Sequence, residues 1–204
     1  MVSVDWVGFS LASIVVVLAP GPGSVFVAKT AATSRVQGGL LAMLGIMVGD
    51  ACLISLSLLG VSALFLAHPS LFHVIRIAGA SYLIFLGLQS IFVSPKKEVD
   101  VTQARGLPFR QAISITLLNP KAVFFFMAFF PVFIKSAENG LVTAYAIMTL
   151  VFMIISATYL SFLIHVSSKL ALAFQQNQSL QSIARKLCGC VFIGFGLKVA
   201  MVSR

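Results

Sequence analysis

The amino-acid sequence predicts an all-α integral membrane protein: six transmembrane helices arranged as two inverted three-helix repeats, with helices 1 and 4 broken. Three observations lead there. Of 204 residues, 59% are hydrophobic and 9% charged, whereas soluble domains carry roughly a quarter charged residues. The apolar runs are long and lack the two-residue alternation of barrel strands. With no water in the bilayer core, such runs must close their own backbone hydrogen bonds as helices. Finally, Leu18-Ala19-Pro20 and Leu118-Asn119-Pro120 recur half a chain length apart, followed by SVFVA and AVFFFMAFF. A repeat of three spans is odd-numbered, so its second copy lies upside down in the membrane.

A span needs about 20 apolar residues, and six stretches qualify in turn. Residues 4–33 form the first, long enough to be tilted or broken, with Pro-Gly-Pro-Gly in its middle. No Lys or Arg precedes it and apolar sequence resumes after the break, so it reads as a retained span rather than a signal peptide. Residues 38–67 form the second and carry Asp50, while residues 70–93 form the third. Residues 109–134 form the fourth, interrupted at Asn119-Pro120, and residues 140–165 and 183–202 complete the set. Two connections are long and polar, at 94–108 and 167–182. The whole chain, 1–204, reads as one transmembrane domain: repeat one about 1–93, a cytoplasmic loop about 94–108, repeat two about 109–204.

The net charge is +9, yet the basic residues lie in loops and at span ends without forming a stripe, which argues against a nucleic-acid partner. They bias topology instead. An outside N-terminus puts Arg35, Lys96, Lys97, Arg105, Arg110, Lys169, Arg185 and Lys186 in the cytoplasm. It leaves Lys135, Lys198 and Arg204 outside, with Arg76 close enough to snorkel. Cys52, Cys188 and Cys190 lie in apolar segments and read as packing residues. No His, Cys and carboxylate cluster suggests a metal, and no cofactor is expected.

Pro20, Gly21, Pro22 and Gly23 interrupt span one. An interior proline costs ~3 kcal/mol or more, and in lipid the freed backbone groups are tolerated only against protein or a water-filled cavity. The helix restarting at Gly23-Ser24 offers a positive dipole end, suited to an anion. Asn119 and Pro120 do the same in span four, as cap and first helical residue. An ordinary kink is the alternative, but the repeat-matched pair of breaks favours a binding site.

Apart from Asp5 at the very start of span one, Asp50 is the only acidic residue inside a span. Counted from Gly38, about 12 residues at 1.5 Å place it ~18 Å deep, near the midplane. A charge there costs at least ~2.5–3.5 kcal/mol, so Asp50 needs a partner, a cavity or a bound proton. It is either a cation or proton site or a structural carboxylate paired to Lys121, and the pair could open for substrate. Lys121, also near mid-depth, could hold a carboxylate, partner Asp50 or snorkel. Gly45 and Gly49 form a GxxxG stripe, and Gly79 and Gly87 flank ASYLIFL. Small residues let helices approach closely, and they also fit a homodimer. Tyr82 and Tyr159 are mid-span hydroxyls that need polar partners and suit a cavity wall. The aromatics at 124–130 suit lipid or core.

Pro20-Gly21-Pro22, Gly45-xxx-Gly49-Asp50, GASYLIFLG (79–87), NPKA (119–122) and GFGLK (194–198) together resemble the LysE/RhtB family of bacterial amino-acid exporters. The match covers nearly the whole chain in order. YLSFLI at 159–164 and NPKAVFFF are most similar to its leucine-exporter branch. The resemblance implies export of amino acids, neutral and leucine-like, across the bacterial inner membrane, driven by proton entry and without enzymatic activity. It differs at Gly23, where the family often has Asn, and at Val132, where Gln is common. Either difference bears on side-chain specificity.

Together these readings predict a zwitterion site: the carboxylate at the half-helix N-termini and Lys121, and the ammonium, or a proton in its absence, at Asp50. The partners expected are an amino acid, protons and membrane lipid. An exporter of inorganic cations or another small solute would want several ligands where one Asp stands. An intramembrane enzyme would want a nucleophile–base pair, and a non-transporting scaffold would leave both breaks unexplained.

Overall fold

A computed structural model describes residues 4–19, 21–67, 71–92, 107–134, 140–166 and 177–202. These form seven α-helices and no strand: α1 (Trp6–Leu18), α2 (Pro22–Ala67), α3 (Leu71–Phe92), α4 (Pro108–Leu117), α5 (Pro120–Val132), α6 (Leu141–His165) and α7 (Gln178–Val202). Two stretches, Pro22–Ser62 and Leu141–His165, are long and apolar enough to cross a membrane, and Trp6–Leu18 and Ile77–Phe92 are shorter apolar helices. Leu11, Leu59, Phe92, Leu150 and Phe162 are exposed on outer faces, an apolar coat that suits lipid.

Helix ends fall where local chemistry puts them. The α1/α2 gap covers residues 19–21 and the α4/α5 gap residues 118–119, at the two Pro-containing motifs. α2 is itself two arms, 22–33 and 36–67, separated by non-helical Ser34 (φ −112°, ψ 19°) and Arg35 (φ 59°, ψ −170°). α7 starts at Gln178, inside the polar run read from sequence as a loop. Asn177 explains the difference: its side chain accepts the Ser179 N–H at 3.1 Å, capping the first turn.

Glycines set the helix spacing. A Cβ on Gly45 would strike the carbonyl oxygen of Phe109, and one on Gly49 would lie 2.7 Å from the Cβ of Thr116, so the GxxxG stripe of α2 packs on α4. Gly79 faces the Ala128 carbonyl of α5, 2.8 Å from such a Cβ. A Cβ on Gly87 would lie 2.7 Å from the Gly189 carbonyl oxygen, and one on Gly189 2.6 Å from that of Gly87, so α3 and α7 press together here. Without a hydrophobic force between helices in lipid, such close backbone approach is what holds them.

The core is aromatic. Phe9 of α1 is fully buried, with its ring 5.6, 5.4 and 5.5 Å from those of Phe129, Phe130 and Phe133. Tyr145 of α6 stacks on Phe130 at 5.5 Å, and its hydroxyl meets Ser57 Oγ at 3.3 Å. At the same end Asp5 caps α1 through Gly8 N–H (3.0 Å), pairs with Lys198 Nζ (2.7 Å) and donates its own N–H to the Phe133 carbonyl (3.0 Å). Cys188 is buried, but Cys52 and Cys190 are exposed on the bundle surface rather than packed as expected.

Candidate functional site

Both helix breaks open onto one cavity. α1 ends as Ala19 N–H turns back to the carbonyls of Val15 (3.1 Å) and Val16 (3.2 Å). α2 begins at Pro22, a first helical position where the missing N–H costs nothing. Ser24 bridges the gap: its Oγ accepts the Gly21 N–H at 3.1 Å and donates to the Gly21 carbonyl at 3.0 Å. In the second break, Leu118 N–H reaches Ser114 O (2.9 Å) and Asn119 N–H reaches Thr116 O (3.3 Å). The Asn119 carbonyl then accepts from Ala122 (3.0 Å) and Val123 (3.1 Å), starting α5 behind Pro120.

The cavity measures about 190 Å³, somewhat more than the ~150 Å³ that takes up a benzene, so it suits a single small molecule. Its polar wall comes from four places. The first break supplies Gly21 to Ser24, the second Asn119, the second arm of α2 Asp50, and α6 Ser156 and Tyr159. Ile46, Ile115, Phe126, Phe152 and Leu160 give an apolar remainder. Two helix N-termini and the C-terminal ends of α1 and α4 therefore meet at one place, with opposite partial charges.

Asp50 is 8% exposed and, among the described residues, has no hydrogen-bond or ion-pair partner. Ser156 is 5% exposed and likewise makes no hydrogen bond among them. Thr116 spends its hydroxyl on the Ala112 carbonyl at 3.1 Å. Tyr159 lines the same cavity as Ser24. Of the residues marked in the sequence, Gly21, Pro22, Gly23, Asp50 and Asn119 share this cavity. Pro120 opens α5, while Pro20 and the Lys121 side chain lie outside the described residues. Gly45, Gly49, Gly79 and Gly87 pack helices instead. Tyr82, expected at a cavity wall, does not line this one. It sits on α3 with its ring 6.2 Å from that of Phe85. From the sequence Ser24 was marked only as part of the helix restart, and Thr116 and Ser156 were not singled out.

Residues 14–203 match the model of a family described as the LysE type translocator. The chain belongs to this family. An uncharacterized membrane protein of Pseudomonas aeruginosa is 37% identical to it, over 98% of this chain and 96% of the relative. A leucine efflux protein of Salmonella typhimurium is 32% identical, covering 96% and 94%, and one of Klebsiella pneumoniae is 31% identical, covering 98% and 96%. No solved structure matches the chain. As a LysE-type translocator it is a membrane transporter rather than an enzyme.

Proposed function

We propose that this LysE-type protein exports amino acids, neutral and leucine-like, across the bacterial inner membrane by proton antiport. One observation carries the reading: two half-helix N-termini and a buried carboxylate, unpartnered among the described residues, line the same small cavity. A zwitterion supplies what each end lacks. Its carboxylate suits the N-termini of α2 and α5, and its ammonium suits Asp50 near the carbonyl ends of α1 and α4. Asp50 holds either the ammonium or a proton, since a bare charge at that depth costs at least ~2.5–3.5 kcal/mol. That competition couples export to proton entry. The leucine efflux relatives and the apolar wall at Ile46, Phe152 and Leu160 support an aliphatic substrate.

In this reading span one is α1 with the first arm of α2, and span two is the second arm. α3 is span three, α4 with α5 span four, α6 span five and α7 span six. They form two inverted repeats, about 1–93 and 109–204, with both termini outside. The contacts support it in part: exchanging the halves turns the α2–α4 packing into α1–α6 and maps α3–α7 onto itself. Two contacts, α1–α7 and α3–α5, lack counterparts of comparable extent in α4–α3 and α2–α7 among the described residues. A bundle closed at one end and open at the other has this asymmetry, as alternating access requires.

The test is counterflow in proteoliposomes with labelled neutral, basic and hydroxy amino acids under a pH gradient. Leucine and close aliphatic analogues are expected to exchange, and net export to fall when the gradient is collapsed. No movement of any amino acid would overturn the reading, and indifference to the gradient would remove its proton coupling.

A further inference from the structure

Ser156 of α6 forgoes the bond that its neighbours make. Thr149 and Thr158 on the same helix donate to the carbonyls four residues back, those of Tyr145 and Ile154, at 2.7 Å each, a bond open to any helical hydroxyl. Ser156 is 5% exposed, makes no hydrogen bond among the described residues, and lines the cavity. It shares a helix face with Phe152, Tyr159 and Leu160, which line the cavity too. Two contacts between α6 and the second arm of α2 fix its height. The Tyr145 hydroxyl meets Ser57 Oγ at 3.3 Å, and Ser161 Oγ meets Met43 Sδ at 3.5 Å. Asp50 is seven residues from Ser57 and seven from Met43 (57 − 50, 50 − 43), so it is level with the midpoint of 145 and 161, residue 153. Ser156 is three residues further on (156 − 153), ~4.5 Å along the axis at 1.5 Å per residue and less than one turn away.

We propose that Ser156 is a substrate-binding residue whose hydroxyl accepts an N–H of the carried amino acid's ammonium, beside Asp50. The inference rests on the export reading and deepens it with a second acceptor for the amino group. An ammonium carries three N–H donors, and a charged donor left unpaired in a buried site costs its full desolvation. One carboxylate does not meet three hydrogens that point in three directions. A hydroxyl on the facing helix, within a turn of Asp50 and unspent among the described residues, meets another. The substrate's carboxylate has donors already, at the N-termini of α2 and α5. Ser13 shows by contrast what packing alone looks like. Its hydroxyl is fully buried and unpartnered among the described residues, but it does not line the cavity.

Two leucine analogues isolate the bond. N,N-dimethylleucine keeps both charges but has one N–H in place of three, and leucinamide keeps the ammonium but loses the acid. The experiment measures half-saturation for leucine and, by competition, for both analogues in proteoliposome counterflow. Ser156→Ala is expected to weaken leucine and leucinamide about tenfold each and to leave the dimethyl compound unchanged. Ser156→Cys fills the same space with a weak acceptor and is expected to act alike, and it decides alone if Ser156→Ala does not purify as a monodisperse protein. A spared amide means that the hydroxyl serves the carboxylate, and it overturns the assignment. So does equal weakening of leucine and the dimethyl compound, or no change in any of the three. A dimethyl compound that gains in Ser156→Ala alone, with leucine unchanged, shows that room was created rather than a bond removed, and overturns it too. A wild-type protein that moves no amino acid overturns the export reading itself, and the role of Ser156 with it.

Discussion

Asp50→Asn keeps the shape of the side chain and removes both its charge and its exchangeable proton. Proton-coupled export is expected to vanish while the protein still purifies intact, measured as uptake driven by a pH gradient in proteoliposomes; undiminished export would remove Asp50 from the centre of the mechanism. Gly23 bears on selectivity. A Cβ there would lie 3.1 Å from Ile46 Cδ1, the far end of a flexible side chain, so alanine fits once Ile46 yields by a few tenths of an ångström. Gly23→Ala is therefore expected to fold normally and to slow leucine more than smaller amino acids in the same counterflow assay. Asp50 was legible from the sequence because a carboxylate in a span has no cheap structural explanation. Tyr159 was legible as a mid-span hydroxyl, but the serine and threonine hydroxyls of the cavity were not. Ser55, Ser114, Thr149 and Thr158 all turn back to the carbonyl four residues earlier, a habit open to any membrane-helix hydroxyl. Sequence alone does not separate those from Ser24 or Ser156, which differ only in what the fold brings opposite them.

Among the elements, the helix breaks were the most legible features, because proline and glycine act on their own turn whatever packs around them. α7 was read short by five residues, since a run of Gln and Ser looks like loop until Asn177 is recognised as its cap. The break between the arms of α2 has a different cause. Arg35 holds φ 59° and ψ −170°, a region close to glycine-only that costs ~1–3 kcal/mol in other residues. Arg35→Gly is expected to raise stability by about 1 kcal/mol, read from thermal unfolding in detergent; no gain would mean that the guanidinium makes contacts worth as much. The opposite outcome is expected at Gly45→Ala. The added methyl meets a backbone carbonyl of α4 that cannot swing aside, so α2 and α4 must part and the unfolding temperature should fall.

At the scale of the molecule, the end that holds Phe9 is closed by several contacts of unequal weight. The Asp5–Lys198 pair is exposed on the lysine side (57%), and such pairs contribute about 0.2–1 kcal/mol. Asp5 also caps α1, a bond whose loss costs about 0.5–2 kcal/mol. Asp5→Ala is therefore expected to lower the unfolding temperature in detergent more than Lys198→Ala does; equal losses would show that the cap contributes nothing.

The meeting of Gly87 and Gly189 also has a consequence in time. Gly189 follows Gly87 by 102 positions (189 − 87), and chains grow at roughly 5–20 residues per second. The face of α3 that α7 covers is therefore synthesised roughly 5–20 seconds before its partner exists. For that interval the newborn bundle shows lipid a backbone surface with no side chain to shield it, and a ribosome stalled after α6 would leave it so, a ready mark for membrane proteases.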